Sequence, residues 1–167
     1  MQNISPARPS STLLVKSAVQ SFAKENGASR ARADFWDALD GFARKASRHL
    51  FNEALSDKYA RMTYAQKTEA AISDTLTDFR EPSAVIAKSP MKATLLKEML
   101  RSANSSGRLP PNVLAGSEAA LRRVLSSLIL CSIEAAQSRR APKSLVAADV
   151  ERLGRDSRVV GAGFAQM

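Results

Sequence analysis

Apolar positions recur at three- and four-residue spacing along most of this chain, the period of an amphipathic helix. The first run is Leu14, Ala18 and Phe22, with Val15, Val19 and Ala23 beside them, and Asn26-Gly27 stops it. The second starts near Ala31. Phe35, Leu39, Phe42, Ala46, Leu50 and Ala54 form a stripe that Trp36, Ala43 and Leu55 widen. No proline intervenes before about Tyr59, so one long helix is predicted, with Gly41 costing about 1 kcal/mol relative to alanine. Thr63-Tyr64-Ala65-Gln66 has the form of a capping box: a hydroxyl for the N3 amide, and a Gln side chain that reaches back to the N-cap amide. It predicts a third, short helix with Ala70, Ala71 and Leu76 inward.

Residues 78–90 break the pattern with Pro82, Ser83, Ser89 and Pro90 and read as a linker. Ser89-Pro90 also has the form of a helix start, a Ser cap followed by proline at the first position. After it the plan repeats. A short amphipathic helix over 91–103 is followed by a loop to Pro111, a long helix from about Asn112 to Ser138, a second loop over 139–143 and a short helix over 144–153. The chain is thus predicted to be all-α, with an N-terminal arm (1–11), a first short–long–short unit (12–77), the linker (78–90), a second unit (91–154) and a C-terminal tail (155–167). Matching positions lie 76 residues apart from Lys16 to Lys92 and from Arg32 to Arg108, and 81 apart from Thr63 to Ser144. Residues 124–136 are apolar on nearly every side, so that stretch must be covered all round. A second long helix crossing it would do so.

Composition narrows the chemistry. Hydrophobic residues make up 44% of 167, enough for a packed core, and 25 Lys and Arg against 16 Asp and Glu leave a formal charge of +9. That excess points to a polyanionic partner. Cys131 is the sole cysteine and His49 the sole histidine, which excludes an intrachain disulfide and Cys-based or multi-His metal sites. No metal or other cofactor is expected. Phosphate-loop, nucleophile-elbow and dinucleotide-binding motifs are absent from the sequence, so an enzyme with a small-molecule substrate is not expected. The longest strictly apolar run, 128–131, is four residues, and the N-terminus lacks the apolar core of a signal peptide. A reduced, intracellular protein without a membrane span is the expectation.

Several short motifs carry a resemblance. Gly107-Arg108-Leu109 precedes the second long helix, and Pro142-Lys143-Ser144-Leu145-Val146-Ala147-Ala148-Asp149-Val150 leads into the last one. Arg61-Met62-Thr63-Tyr64 stands at the matching place in the first half, and Gly154-Arg155 with Gly161-Ala162-Gly163-Phe164 forms a Gly-containing end. Over about residues 12–154 the pattern resembles the histone fold, present twice in one chain as in histone doublets of viral or microbial origin. Each half departs from the family at its second loop, where an Arg pairs with a later Asp. Thr68 occupies the Asp position after Arg61, while Asp149 is preceded by Pro142 at the Arg position, with Arg139 and Arg140 just upstream. Each half therefore keeps one member of that pair.

The resemblance implies two units that embrace head to tail as a pseudo-dimer, each unit's first loop beside the other's second. Arg30 and Arg32 would neighbour Lys143 and Ser144. Arg108 would neighbour Arg61 and Thr63. The first helices, starting at Lys16 and at Lys88 and Lys92, would meet between them. These ten residues are the candidate DNA-binding set. The implied function is architectural: wrapping or compacting double-stranded DNA through its phosphate backbone, nucleosome-like and without sequence specificity. A histone-fold module for protein assembly, with weak or no DNA binding, is the alternative. The implied partners are duplex DNA and other doublets or further copies of the chain. The implied location is DNA-associated, in a nucleoid, nucleus or virion.

Taken singly, the same residues have plainer roles. Loop cations are commonly solvated, and Thr63 and Ser144 are first of all helix caps. His49 and Cys131 read as packing residues, and Asp34, Asp37 and Asp40 as a solvated acidic stripe. Arg122 and Arg123 read as surface charges, and Arg44, Lys45 and Arg48 as a solvated basic face.

Overall fold

The computed structural model describes residues 12–104, 107–139 and 144–167. The protein is all-α. Its helices are α1 (Lys16–Glu25), α2 (Ala33–Ala54), α3 (Tyr64–Thr75), α4 (Ala93–Ala103), α5 (Pro111–Gln137), α6 (Ala147–Leu153), α7 (Ser157–Val160) and α8 (Ala162–Ala165). Two short strands, β1 (Arg30–Ala31) and β2 (Ser144–Leu145), pair in parallel. No helix among the described residues is long and apolar enough to cross a membrane.

Local chemistry accounts for where the elements start and stop. Asn26 and Gly27 end α1, and Thr63 and Gln66 form the expected capping box at α3, with Gln66 N donating to Thr63 Oγ1 at 3.3 Å and Thr63 N to Gln66 Oε1 at 3.0 Å. The long helix α2 stops at Ala54 rather than near Tyr59. Ser56 turns to an extended conformation (φ −71°, ψ 157°) and Asp57–Tyr59 form a single 3₁₀ turn. Tyr59 then anchors that turn by donating its hydroxyl to Asp74, with Glu53 Oε1 at 3.2 Å from the same oxygen. Ser89-Pro90 does not start α4, which begins three residues later, at Ala93 with Lys92 as N-cap. An antiparallel bridge between Leu14 and Met91 takes these residues instead, because Val15 N donates to Pro90 O at 2.7 Å and Lys92 N to Leu13 O at 2.8 Å. The inter-strand bonds hold the lead-in extended, where a helical turn would forgo them.

The two halves are intertwined. Helix α2 packs on α4, α5 and α6 of the second half, and α5 packs on α1 and α3 of the first. One hydrophobic cluster runs through both halves, with Leu39, Leu50, Leu100, Val124, Leu128 and Ile129 all buried. Six consecutive residues of α5, 124–129, are buried, as the sequence demanded. Buried serines of α5 are tolerated where their hydroxyls bond back to the preceding turn: Ser126 donates to Arg122 O at 2.6 Å and Ser132 to Leu128 O at 2.7 Å. Gly116 lets α5 approach α3 closely, since a methyl group there would collide with Thr68 Cγ2.

The linker 78–90 is fastened along α5. Ile86 is buried and its N–H donates to Ser126 Oγ at 3.0 Å, while Glu81 pairs with Arg123. Residues 155–167, read from sequence as a tail, instead form α7 and α8 and join the core through Val160 and Phe164, both fully buried. Phe164 meets His49 edge-on at 6.0 Å. Gly161 (φ +89°) permits this docking, because a Cβ there would stand 2.5 Å from Thr75 O.

Candidate nucleic-acid interface

The helix N-caps define which positions of the two halves correspond. Val15 matches Lys92, Arg32 matches Pro110 and Thr63 matches Val146, separations of 77, 78 and 83 residues. These replace the offsets read from sequence, so Arg108 corresponds to Arg30 rather than to Arg32. The same 78-residue step relates Asp40 to Glu118 and Arg44 to Arg122. Each acid binds its Arg one helical turn on, at 2.8 and 2.7 Å. Each also holds the lead-in of its own half: Asp40 accepts from Leu14 N at 3.1 Å and Glu118 from the Ser89 hydroxyl at 2.9 Å. Asp40 is thus a structural acceptor, not part of a solvated stripe.

At one end of the molecule the first loop of the first half lies against the second loop of the second half. Arg30 pairs with Ser144 and Ala31 with Leu145, and Arg32 N donates to Leu145 O at 3.0 Å. The expected neighbourhood of Arg30, Arg32 and Ser144 is therefore present. Lys143, assigned to the same cluster, lies outside the described residues, as do Arg140 and Pro142. Ser144 caps no helix, because it belongs to β2 and the N-cap of α6 is Val146. Val has no side-chain acceptor, and the Asp149 carboxylate takes over by accepting from Val146 N at 3.1 Å.

Asp149 is only 3% exposed, and its charge is met by Arg139, whose Nη1 and Nη2 donate to the two carboxylate oxygens at 2.6 and 2.9 Å. Arg139 Nη2 also donates to Ser144 O at 3.3 Å. The second half therefore has a complete Arg–Asp pair, which sequence spacing had read as broken. The Arg stands ten residues before the Asp, and α5 is five residues longer than α2. A search at fixed spacing misses a partner supplied from the end of the lengthened helix. The guanidinium pKa is raised, chiefly by the bonds to Asp149.

At the other end no strand forms among the described residues. Arg61 and Thr63 are exposed, and Thr68 is turned inward, its hydroxyl donating to Tyr64 O at 2.9 Å and its methyl against Gly116. An Asp at that position would put a carboxylate against Gly116, so the ion pair is replaced by the capping box. Arg108 is exposed. In the contact of Thr68 with Gly116, Thr68 is the fifth residue of α3 and Gly116 the sixth of α5. Thr63 and Pro110 are thus about 7.5 and 9 Å from it along their own helices.

Between the two ends run the bridged lead-ins. Lys16 Nζ stands 5.9 Å from the Trp36 ring, one turn into α2 from Arg32, and Lys92 Nζ lies 3.5 Å from Thr12 Oγ1 across the bridge. Lys16, Lys88 and Lys92 are exposed. Contacts thus lead without a break from Arg30 and Ser144 through Trp36 and Lys16 to Pro90, Met91 and Lys92. Helices α1, α2 and α4 start with no side-chain cap, which leaves their leading amides to an anion, whereas α5 starts at Pro111, which has no N–H to offer. Arg122 and Arg123 are engaged elsewhere, with Glu118 and Glu81. Among the described residues no cluster of His, Cys, Asp and Glu is placed to hold a metal ion. No known protein family, curated protein or solved structure matches the chain.

Proposed function

We propose that the chain is two histone-fold units joined head to tail, and that it binds double-stranded DNA as an architectural, sequence-independent compacting protein. The observation that carries this reading is the parallel pairing of Arg30 with Ser144 across the two halves. It lays the loop that carries Arg30 and Arg32 against a loop more than a hundred residues further along the chain. Arg30 and Arg32 serve phosphates at that end, Lys16, Lys88 and Lys92 in the middle, and Arg61, Thr63 and Arg108 at the far end. Uncapped helix starts add backbone N–H donors for phosphate oxygens. The chemistry reads charge and backbone shape, and DNA that bends easily is favoured.

Gel shift with random-sequence duplex tests the reading. For six to ten phosphate contacts, affinity should fall on the order of 10³–10⁵-fold between 50 and 200 mM salt, because each neutralised phosphate releases counterions. Absence of binding at 50 mM salt would overturn it and leave protein assembly as the role of the fold.

A further inference from the structure

Four large apolar side chains are exposed among the described residues: Met62, Tyr64, Val85 and Met167. Two of them flank a single residue, Thr63, on the loop that carries Arg61. Met62 is 42% and Tyr64 52% exposed, whereas Leu145, which the N-caps match to Met62, is fully buried in the strand pair at the opposite end. Residues 60–68 carry two cations, Arg61 and Lys67, and no acid. Lys67 Nζ stands 5.3 Å from the Tyr64 ring. The capping box fixes the first turn of α3, so Tyr64 is held out on a rigid base rather than on a floppy loop.

An exposed aromatic and an exposed thioether, with Lys67 over the aromatic ring, Arg61 next along the loop and Glu69 the first acid beyond, suit a partner that offers negative charge and flat apolar faces within a few ångströms of each other. Stacked bases beside phosphates have that arrangement. We propose that Met62 and Tyr64 form an apolar wedge that enters the minor groove and partly unstacks a base step, bending the duplex at this one end of the protein. The proposal rests on the DNA-binding reading above and adds to it a contact that is not electrostatic. Flexible pyrimidine–purine steps should be the preferred points of insertion.

The test uses the full chain and a short end-labelled duplex containing TA or CA steps. Stacking on a base contributes enough that Tyr64→Ala should weaken binding about tenfold. The salt slope should be unchanged, because no charge is lost. End-to-end energy transfer should report less bending in Tyr64→Ala and in Met62→Ala, and Tyr64→Phe should behave like the parent. In Tyr64→Trp, the emission added over the parent's should be quenched by DNA. Thermal melting of each variant at the parent's temperature excludes misfolding as the cause. If the parent binds but these variants bind and bend DNA equally well, the wedge is overturned and the phosphate-binding reading stands. If the parent fails to bind at 50 mM salt, both fall together.

Discussion

The two ends of the molecule solve one structural problem in different ways. At each end a loop must stop, turn and start a short helix. The end built from β1, β2 and α6 does this with a buried carboxylate: Asp149 takes the Val146 amide, Arg139 neutralises it from the surface side, and the loop is drawn into a ladder that buries Leu145. The end built around Thr63 does it with an exposed capping box of neutral groups. Thr63 and Gln66 satisfy the helix start locally and ask nothing of the other half, so the loop stays in water with Arg61, Met62 and Tyr64 uncovered. A buried charge forces long-range structure because it cannot be left unpaired. A surface cap leaves the surface free for something else.

The largest effect that separates the ends is on stability. Arg139→Ala leaves the Asp149 carboxylate buried without its partner and should lower the unfolding free energy by about 2–3 kcal/mol. Arg61→Ala at the other end should change it by less than about 0.5 kcal/mol. Urea denaturation of the two variants checks the contrast, and equal losses would mean that the ends are not different in kind. Next comes the packing that made the exchange necessary. Gly116→Ala should cost about 1–3 kcal/mol by driving a methyl into Thr68. Thr68→Ser, which deletes the colliding Cγ2, should recover most of that loss in the double variant.

Much of the fold was legible before any coordinates. The three-four spacing located six helices, the Thr63-Tyr64-Ala65-Gln66 motif located a cap to the residue, and the all-round apolar stretch of α5 announced a helix wrapped by others. What escaped had physical reasons. The Ser89-Pro90 cap signal lost to inter-strand bonds that only the assembled halves can make. The packed end over 157–165 rests on Gly161 and Gly163 fitting against Thr75, a contact with no local signature. Within the candidate interface, the neighbourhood of Arg30 and Ser144 was implied by the histone-fold resemblance alone, since neither residue carries a local signal for the other. The Arg139–Asp149 bond could not be read from sequence, because helix lengthening moved one partner out of register. Tyr64 has no signal of its own in the sequence, because an aromatic in the first turn of a helix reads the same whether it is buried or exposed; only the structure shows it 52% exposed.

A smaller effect lies in the acid range. Asp74 is held below the usual carboxylate value by the hydrogen bond from Tyr59, then by Lys58. Asp156 is held there by the side chain and backbone N–H of Arg158. A depressed carboxyl adds stability above its unfolded value and loses it as pH falls through the folded one, so both contributions are present at neutral pH and drain below about pH 4. Tyr59→Phe removes the leading donor to Asp74 and should make acid unfolding begin from a lower plateau with a shallower decline. An unchanged pH profile would show that this anchor, at the end of α2, is not tuned by Tyr59.

The central claim is that both ends, despite their different construction, present cations to one duplex. The salt dependence of binding to random-sequence DNA, compared among four proteins, tests it most directly: the parent, Arg30→Ala with Arg32→Ala, Arg61→Ala with Arg108→Ala, and Arg152→Ala with Arg155→Ala on the exposed far part of α6 and beyond. Each loop pair should flatten the logarithmic salt slope by roughly two and weaken all sequences alike, and the α6 pair should leave the slope near the parent's. Equal flattening by all three pairs would show that binding follows net charge alone and contradict the two-ended surface.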